Sequence, residues 1–186
     1  MYSTSDFRNG LKILLDGLPY EIVYFQHVKP GKGGAFVRTK IRNLLNSAVV
    51  EKTFRSSEKV GKPEVEDIEM QYLYNDGDYH FMNNQTYEQI SVSETAIGSV
   101  KNFLKENTNV RVLIFNGQVV SIDLPAFMVL EVADCEPAVR GDTVSGATKS
   151  ATLETGAIVQ VPLFVSQGER IKVDTRSGEY IERSQG

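Results

Sequence analysis

The chain has 186 residues, with 20 Lys/Arg against 24 Asp/Glu, 41% hydrophobic and 24% charged residues, a balance that excludes intrinsic disorder. No window approaches the roughly 18 consecutive apolar residues of a membrane helix, and Met1-Tyr2-Ser3-Thr4-Ser5-Asp6 lacks the basic and apolar regions of a signal peptide. A cytoplasmic protein without a membrane partner is expected.

Charge is divided unevenly along the chain. Residues 1–62 hold 11 Lys/Arg and 5 Asp/Glu, net +6, whereas residues 63–186 hold 9 and 19, net −10. Between Ile22 and Val50 stand Lys29, Lys32, Arg38, Lys40 and Arg42 with no carboxylate. A basic head on an acidic body points to a surface that meets phosphates rather than to a merely solvated face.

In chain order, the apolar residues alternate with a period close to two, as in Ile68, Met70, Tyr72 and Tyr74, or Val110, Val112 and Ile114. Turn signals fall between these runs at Asp16-Gly17, Pro30-Gly31, Asn75-Asp76-Gly77, Asn116-Gly117, Ser145-Gly146, Gln167-Gly168 and Ser177-Gly178. Many short strands with frequent turns predict small barrels. One helix is expected over about 95–107, capped by Ser93, with Ile97, Val100, Phe103 and Leu104 on one face. Joints are expected at Gly61-Lys62-Pro63, where the charge changes sign, and at Leu124-Pro125-Ala126. The result is three tandem domains: 1–62, 63–126 and 127–186.

The most distinctive segment runs from Tyr24 to Arg42, two strands flanking a loop with Lys32 at its tip. Phe36, Arg38, Lys40 and Arg42 share one parity, so three cations project from one face. Pro30 fixes the entry to the loop after Lys29, while Gly31, Gly33 and Gly34 permit positive φ and close backbone approach to a partner. A nucleotide-binding P-loop is rejected, because that loop needs Ser or Thr directly after its Lys and then a helix. Here Gly33 and a strand occupy those places. A nucleophilic lysine needs a desolvated pocket or groups that lower its pKa, and this loop offers glycine and other cations.

Elsewhere the chemistry is sparse. One cysteine, Cys135, leaves no internal disulfide and no multi-cysteine metal site, and its apolar surroundings read as core rather than nucleophile. His27 and His80 lack a second ligand at metal spacing. Glu64, Glu66, Asp67 and Glu69 have mixed parity on a strand, which reads as a solvated edge. No catalytic constellation and no metal or cofactor site is expected.

Three stretches together carry a family resemblance. They are the arm Lys29-Pro30-Gly31-Lys32-Gly33-Gly34-Ala35-Phe36-Val37-Arg38, then Gln71-Tyr72-Leu73-Tyr74-Asn75-Asp76-Gly77 with Phe81-Met82 and Thr86-Tyr87-Glu88-Gln89, and finally Gly141-Asp142-Thr143 followed by Lys149 through Gly168. Over essentially its whole length the chain resembles the elongation factor P family of bacterial translation factors.

The resemblance implies an all-β fold: an SH3-like, KOW-type first domain followed by two OB-fold domains, with one short helix in the second. It implies a non-enzymatic accessory to the ribosome that enters between the P and E sites when synthesis stalls at consecutive prolines. Lys32 would reach along the CCA end of the P-site peptidyl-tRNA and would be the position that a lysine-modifying enzyme extends. The face of Arg38, Lys40 and Arg42 would meet tRNA phosphates, Gly141-Asp142-Thr143 would lie near the E-site codon, and Tyr180 with Arg183 would contact the small subunit. For that last pair, barrel packing by Tyr180 and a solvated Arg183 stands as an equal reading. A monomer is expected, from the tRNA-sized site it has to fit. A paralogue with a different stalling spectrum and a general OB-fold RNA-binding protein acting off the ribosome are the alternatives. The latter would need exposed aromatic platforms for bases.

Overall fold

A computed structural model describes residues 1–137 and 146–185 of the chain. The fold is all-β with one short α-helix, and it divides into two compact units, Met1–Asp67 with Leu113–Ser121, and Ile68–Val112 with Ile122–Gly186.

In the first unit, β1 (Tyr2–Ser3) pairs with β6 (Lys59–Val60), and a four-stranded antiparallel sheet runs in the order β2 (Lys12–Leu15), β3 (Leu18–Val28), β4 (Phe36–Asn43), β5 (Val49–Arg55). Asp16 and Gly17 both take positive φ, 50° and 78°, as a two-residue primed hairpin turn requires. Strict alternation along β4 buries Val37, Thr39 and Ile41 and exposes Arg38, Lys40 and Arg42. The inward residues join Phe7, Leu11, Ile13, Ile22, Phe54 and Val60 in one core, where Phe7 meets Phe54 edge to face at 5.2 Å. Full burial of a side chain such as Phe54 contributes about 1.5–3 kcal/mol. The buried Thr39 hydroxyl donates to Lys52 O at 2.7 Å, so no polar group is stranded there. Gly61, where a joint is expected, is bridged to Leu14 on both sides, Leu14 N to Gly61 O at 2.9 Å and Gly61 N to Leu14 O at 3.2 Å. A Cβ at Gly61 would stand 3.0 Å from that of Leu14, a tight approach that a larger residue would have to relieve by a small shift.

A five-stranded sheet in the order β11-β10-β7-β8-β9 contains β7 (Val65–Asn75), β8 (Asp78–Asn83), β9 (Gln89–Ser93), β10 (Asn109–Phe115) and β11 (Gln118–Asp123); it falls in the second unit except for the start of β7 up to Asp67 and the hairpin end Leu113–Ser121, which fall in the first. A further sheet follows, with β12 (Phe127–Cys135), β13 (Thr148–Leu153), β14 (Ile158–Pro162), β15 (Arg170–Asp174) and β16 (Glu179–Arg183) in the order β14-β13-β12-β15-β16. Leu130, Val132, Ala151, Leu153, Val159, Val161, Ile171 and Val173 form its core.

Three sequence expectations are corrected. The helix over 95–107 is only α1 (Glu94–Ile97), followed by a 3-10 stretch over Gly98–Phe103. Ser93 caps it, its Oγ accepting from Ala96 N at 3.3 Å, but Gly98 takes φ +60° and ends the α-helical path. In β7 the register against β8 shifts between Tyr72 and Tyr74, so Tyr72 is buried while Tyr74 turns out to solvent and stacks on His80 at 4.5 Å. In β10 the alternation breaks after Val112, and Leu113 and Phe115 are buried where Ile114 is only half-buried.

Within the second unit, α1 packs on β8 and β9, and the 3-10 stretch that follows it lies against the β12–β16 barrel. Phe103 and Leu124 pack on that barrel's core, the Thr155 hydroxyl donates to Asn102 O at 2.6 Å, and Lys105 pairs with Glu154 at 3.1 Å. Thr175 Oγ1 donates to Pro125 O at 2.6 Å, so the segment expected as a second joint is pinned. Burial raises the pKa of the Glu154 carboxyl, but the Glu131 N–H it accepts and the Lys105 ammonium outweigh that and hold it below the ordinary value.

Candidate functional site

The loop between β3 and β4 gathers the residues that the sequence singled out. The last rung of the ladder is Val28 opposite Phe36, and Lys29, Pro30, Gly31, Lys32, Gly33 and Gly34 beyond it are all exposed. Among the described residues, no side chain of this stretch makes a hydrogen bond or an ion pair. The glycines divide into two kinds. Gly33 takes φ +107°, a conformation that other residues adopt only under strain, whereas Gly31 and Gly34 have no positive φ and a Cβ on either would meet nothing within 4 Å. Among the described residues no contact calls for glycine at 31 or 34. Lys32 is a cation at the end of a narrow ribbon, with no acid or base among the described residues to engage it.

Below the loop, the cation-bearing face of β4 is not uniform. Arg42 is tied to Glu21. Lys40 stands 3.9 Å from Glu51, a long pair between two exposed side chains and of little energetic weight. Arg38 has no carboxylate partner among the described residues, and its guanidinium lies 5.5 Å from the Phe36 ring centroid. Only Arg38 offers its full charge outward, and Lys40 nearly so.

On β16, Tyr180 is half-buried and packs against the barrel core, which is the packing reading of that residue. Arg183 is exposed, pairs with Glu169 at 3.4 Å and lies 4.7 Å from the ring centroid of Phe164, itself 57% exposed. The aromatic at Arg183 is thus Phe164, which sequence spacing alone did not single out. Gly141, Asp142 and Thr143 lie outside the described residues. Cys135 is half-buried at the end of β12, 3.7 Å from Val165 O. His80 meets Asp76 Oδ1 at 2.7 Å and this bond holds the Asp76 carboxyl below its ordinary range, while the exposed His27 contacts Phe25 edge-on. Among the described residues no three His, Cys, Asp or Glu side chains gather as a metal would need, and no helix is long and apolar enough to cross a membrane.

Comparison with known proteins accounts for nearly the whole chain. Residues 3–60 match the elongation factor P KOW-like domain, 65–122 the elongation factor P OB domain, and 128–183 the elongation factor P C-terminal domain. The chain is 59% identical over 184 residues to elongation factor P of Nitratidesulfovibrio vulgaris (strain DSM 19637 / Miyazaki F), covering 98% of this chain and 100% of that protein. The chain belongs to the elongation factor P family. Elongation factor P of Maridesulfovibrio salexigens is 57% identical and that of Pelotomaculum thermopropionicum 53%, each over 184 residues, with 98% of this chain covered and 99% and 100% of those proteins. Among solved structures, eukaryotic translation initiation factor 5A from Methanococcus jannaschii superposes with a TM-score of 0.52 at 26% identity, covering 66% of this chain and 93% of its own. As an elongation factor P family member the chain is a translation elongation factor, built of KOW-like and OB modules.

Proposed function

We propose that this factor binds the ribosome between the P and E sites and promotes peptide bond formation at polyproline stalls by positioning the CCA end of the P-site peptidyl-tRNA. It does so as an accessory without an active site of its own, working in the cytoplasm as a monomer of three modules, 1–62, 63–126 and 127–186. The observation that carries this reading is the loop 29–34, which is exposed, free of internal side-chain partners and tipped by Lys32. A prolyl nitrogen is a constrained nucleophile, and holding two reactants in alignment lowers a barrier by several kcal/mol without acid, base or covalent help. A slender cationic arm whose glycines 31 and 34 have open space around them suits entry into a crowded RNA site.

Other roles follow from position. Arg38, Lys40 and Arg42 sit on the face below the arm, where phosphate contacts fix orientation without reading sequence. Gly141-Asp142-Thr143 meets the E-site codon, and Tyr180 and Arg183 serve the small-subunit contact. Of that pair Arg183 makes the contact and Tyr180 holds its strand. Lys32 is the residue that a lysine-modifying enzyme extends, adding reach and hydrogen-bonding groups to the tip. In a reconstituted translation system, the purified protein should speed synthesis through consecutive prolines and leave a proline-free message unchanged. Equal rates with and without the protein on the polyproline message would refute the reading.

A further inference from the structure

The strand leading into the arm carries an irregularity that the proposed function leaves unused. Along β3, Tyr20 and Ile22 pair with Asn43 and Ile41, but the next partner of Lys40 is Tyr24, so Val23 is an extra residue. Without this bulge Tyr24 would stand opposite the buried Thr39 and share the core face with Ile22. With it, Phe25 and His27 stand opposite the buried Thr39 and Val37, while Tyr24 and Gln26 stand opposite the exposed Lys40 and Arg38. Tyr24 is 47% exposed, whereas Phe7 and Phe54 of the same unit are buried and Tyr2, Tyr20, Phe25 and Phe36 are half-buried.

The face so formed is a shallow cavity of about 330 Å³ lined by Tyr24, Gln26, Arg38, Lys40, Glu51 and Thr53. It presents one exposed phenol ring, its hydroxyl 3.5 Å from Gln26 Oε1, the cation of Arg38 without a carboxylate partner among the described residues, and Lys40 loosely paired with the exposed Glu51 carboxylate, with Lys52 also in the lining. An exposed ring opposite one outward cation and one rung from a second is an arrangement that takes an unstacked base, the ring against its π-face and the cations against neighbouring phosphates. An acidic protein segment would be served by the charges but leaves the ring without a role.

We propose that Tyr24 is a stacking platform for a single unstacked base of the RNA partner, with Arg38 and Lys40 on the flanking phosphates. This rests on the reading that the factor binds tRNA-bearing ribosomes, and it adds a residue and a mode of recognition to it. The chain contains no tryptophan, so Tyr24→Trp places a lone indole reporter at the site.

The test is a binding titration of the full chain with ribosomes carrying a P-site tRNA, at several salt concentrations. Tyr24→Ala should weaken binding by about 5- to 150-fold, the range for loss of one base stack, with the slope against salt unchanged because the phosphate contacts remain. Tyr24→Phe and Tyr24→Trp should stay near the parent, and the indole emission of Tyr24→Trp should be quenched on binding. Binding by the parent that Tyr24→Ala leaves unchanged overturns the platform while the ribosomal reading stands. So does a blue shift of the indole emission without quenching, as burial against protein would give. Failure of the parent itself to bind these ribosomes overturns both.

Discussion

Two hairpin loops of this chain each combine charged side chains with glycine and use them in opposite ways. The loop between β13 and β14 holds Glu154, Thr155 and Gly156, and its side chains are spent inside the molecule: Glu154 on Lys105 and the Glu131 N–H, Thr155 on Asn102. The loop between β3 and β4 holds Lys29, Lys32 and three glycines, and among the described residues none of its side chains makes an internal hydrogen bond or ion pair. Polar loop residues that close hydrogen bonds with their own chain brace the fold, and those that close none are available to a partner. The comparison assigns stability to the first loop and function to the second, and it can be broken at either end.

The largest expected effect is on activity. Lys32→Ala should remove about tenfold or more of the gain in polyproline synthesis, equivalent to about 1.4 kcal/mol of barrier, with the thermal midpoint unmoved because the side chain touches nothing in the fold. A fall in the midpoint would mean that the tip has an internal role.

The glycines sharpen the contrast. Gly33→Ala forces a side chain onto φ +107°, a strain of about 1–3 kcal/mol that the loop relieves by changing its path. Gly34→Ala fits the free chain without a contact. Both should lower polyproline activity, Gly33→Ala more, and neither should lower the melting temperature appreciably. Full activity of Gly34→Ala would remove the case that a partner's backbone or base approaches at that point.

A third comparison lies on β4. If phosphate contact follows free charge, Arg38→Ala should reduce the slope of log affinity against log salt by about 0.7–0.9, the value for one phosphate. Arg42→Ala, whose charge Glu21 already satisfies, should change it less. Equal changes would show that the Glu21 pair opens on binding.

The smallest effect belongs to the braced loop. Glu154→Gln should cost about 0.5–1 kcal/mol of stability at neutral pH, with no change in polyproline activity. The sign with pH is fixed by the lowered carboxyl pKa. The stabilisation is present above the ordinary glutamate value of 4.5 and is lost as pH falls through the lower folded value. Denaturant midpoints of parent and Glu154→Gln should therefore differ at pH 7 and converge in acid.

Much of this was legible in the residues, because alternation and turn chemistry are local. The alternation along β4 reads correctly from Phe36 to Arg42, and Asp16-Gly17 and Asn116-Gly117 adopt the positive φ that their turns need. What escaped was the effect of one extra residue. The bulges at Val23 and between Tyr72 and Tyr74 reverse which face the next side chain takes, and no residue type in either stretch announces them. Both turn a tyrosine outward, Tyr24 and Tyr74, that plain alternation assigns to the core face. The helix failed for a related reason, since apolar spacing continues past Gly98 whereas the backbone does not. The Phe164–Arg183 contact joins the turn after β14 to β16, which no spacing within one strand reveals.

The central claim, that the arm lies along the CCA end of P-site tRNA, is most directly tested by tethered cleavage. Gly31→Cys retains Lys32, and a Cβ there meets nothing within 4 Å; Cys135→Ser makes the introduced thiol the sole attachment point. With an iron chelate on that thiol and the factor bound to ribosomes holding a P-site tRNA, hydroxyl radicals should cut the 3′ terminal nucleotides of that tRNA. Cuts confined to other parts of the ribosome, with the CCA end intact, would contradict the account.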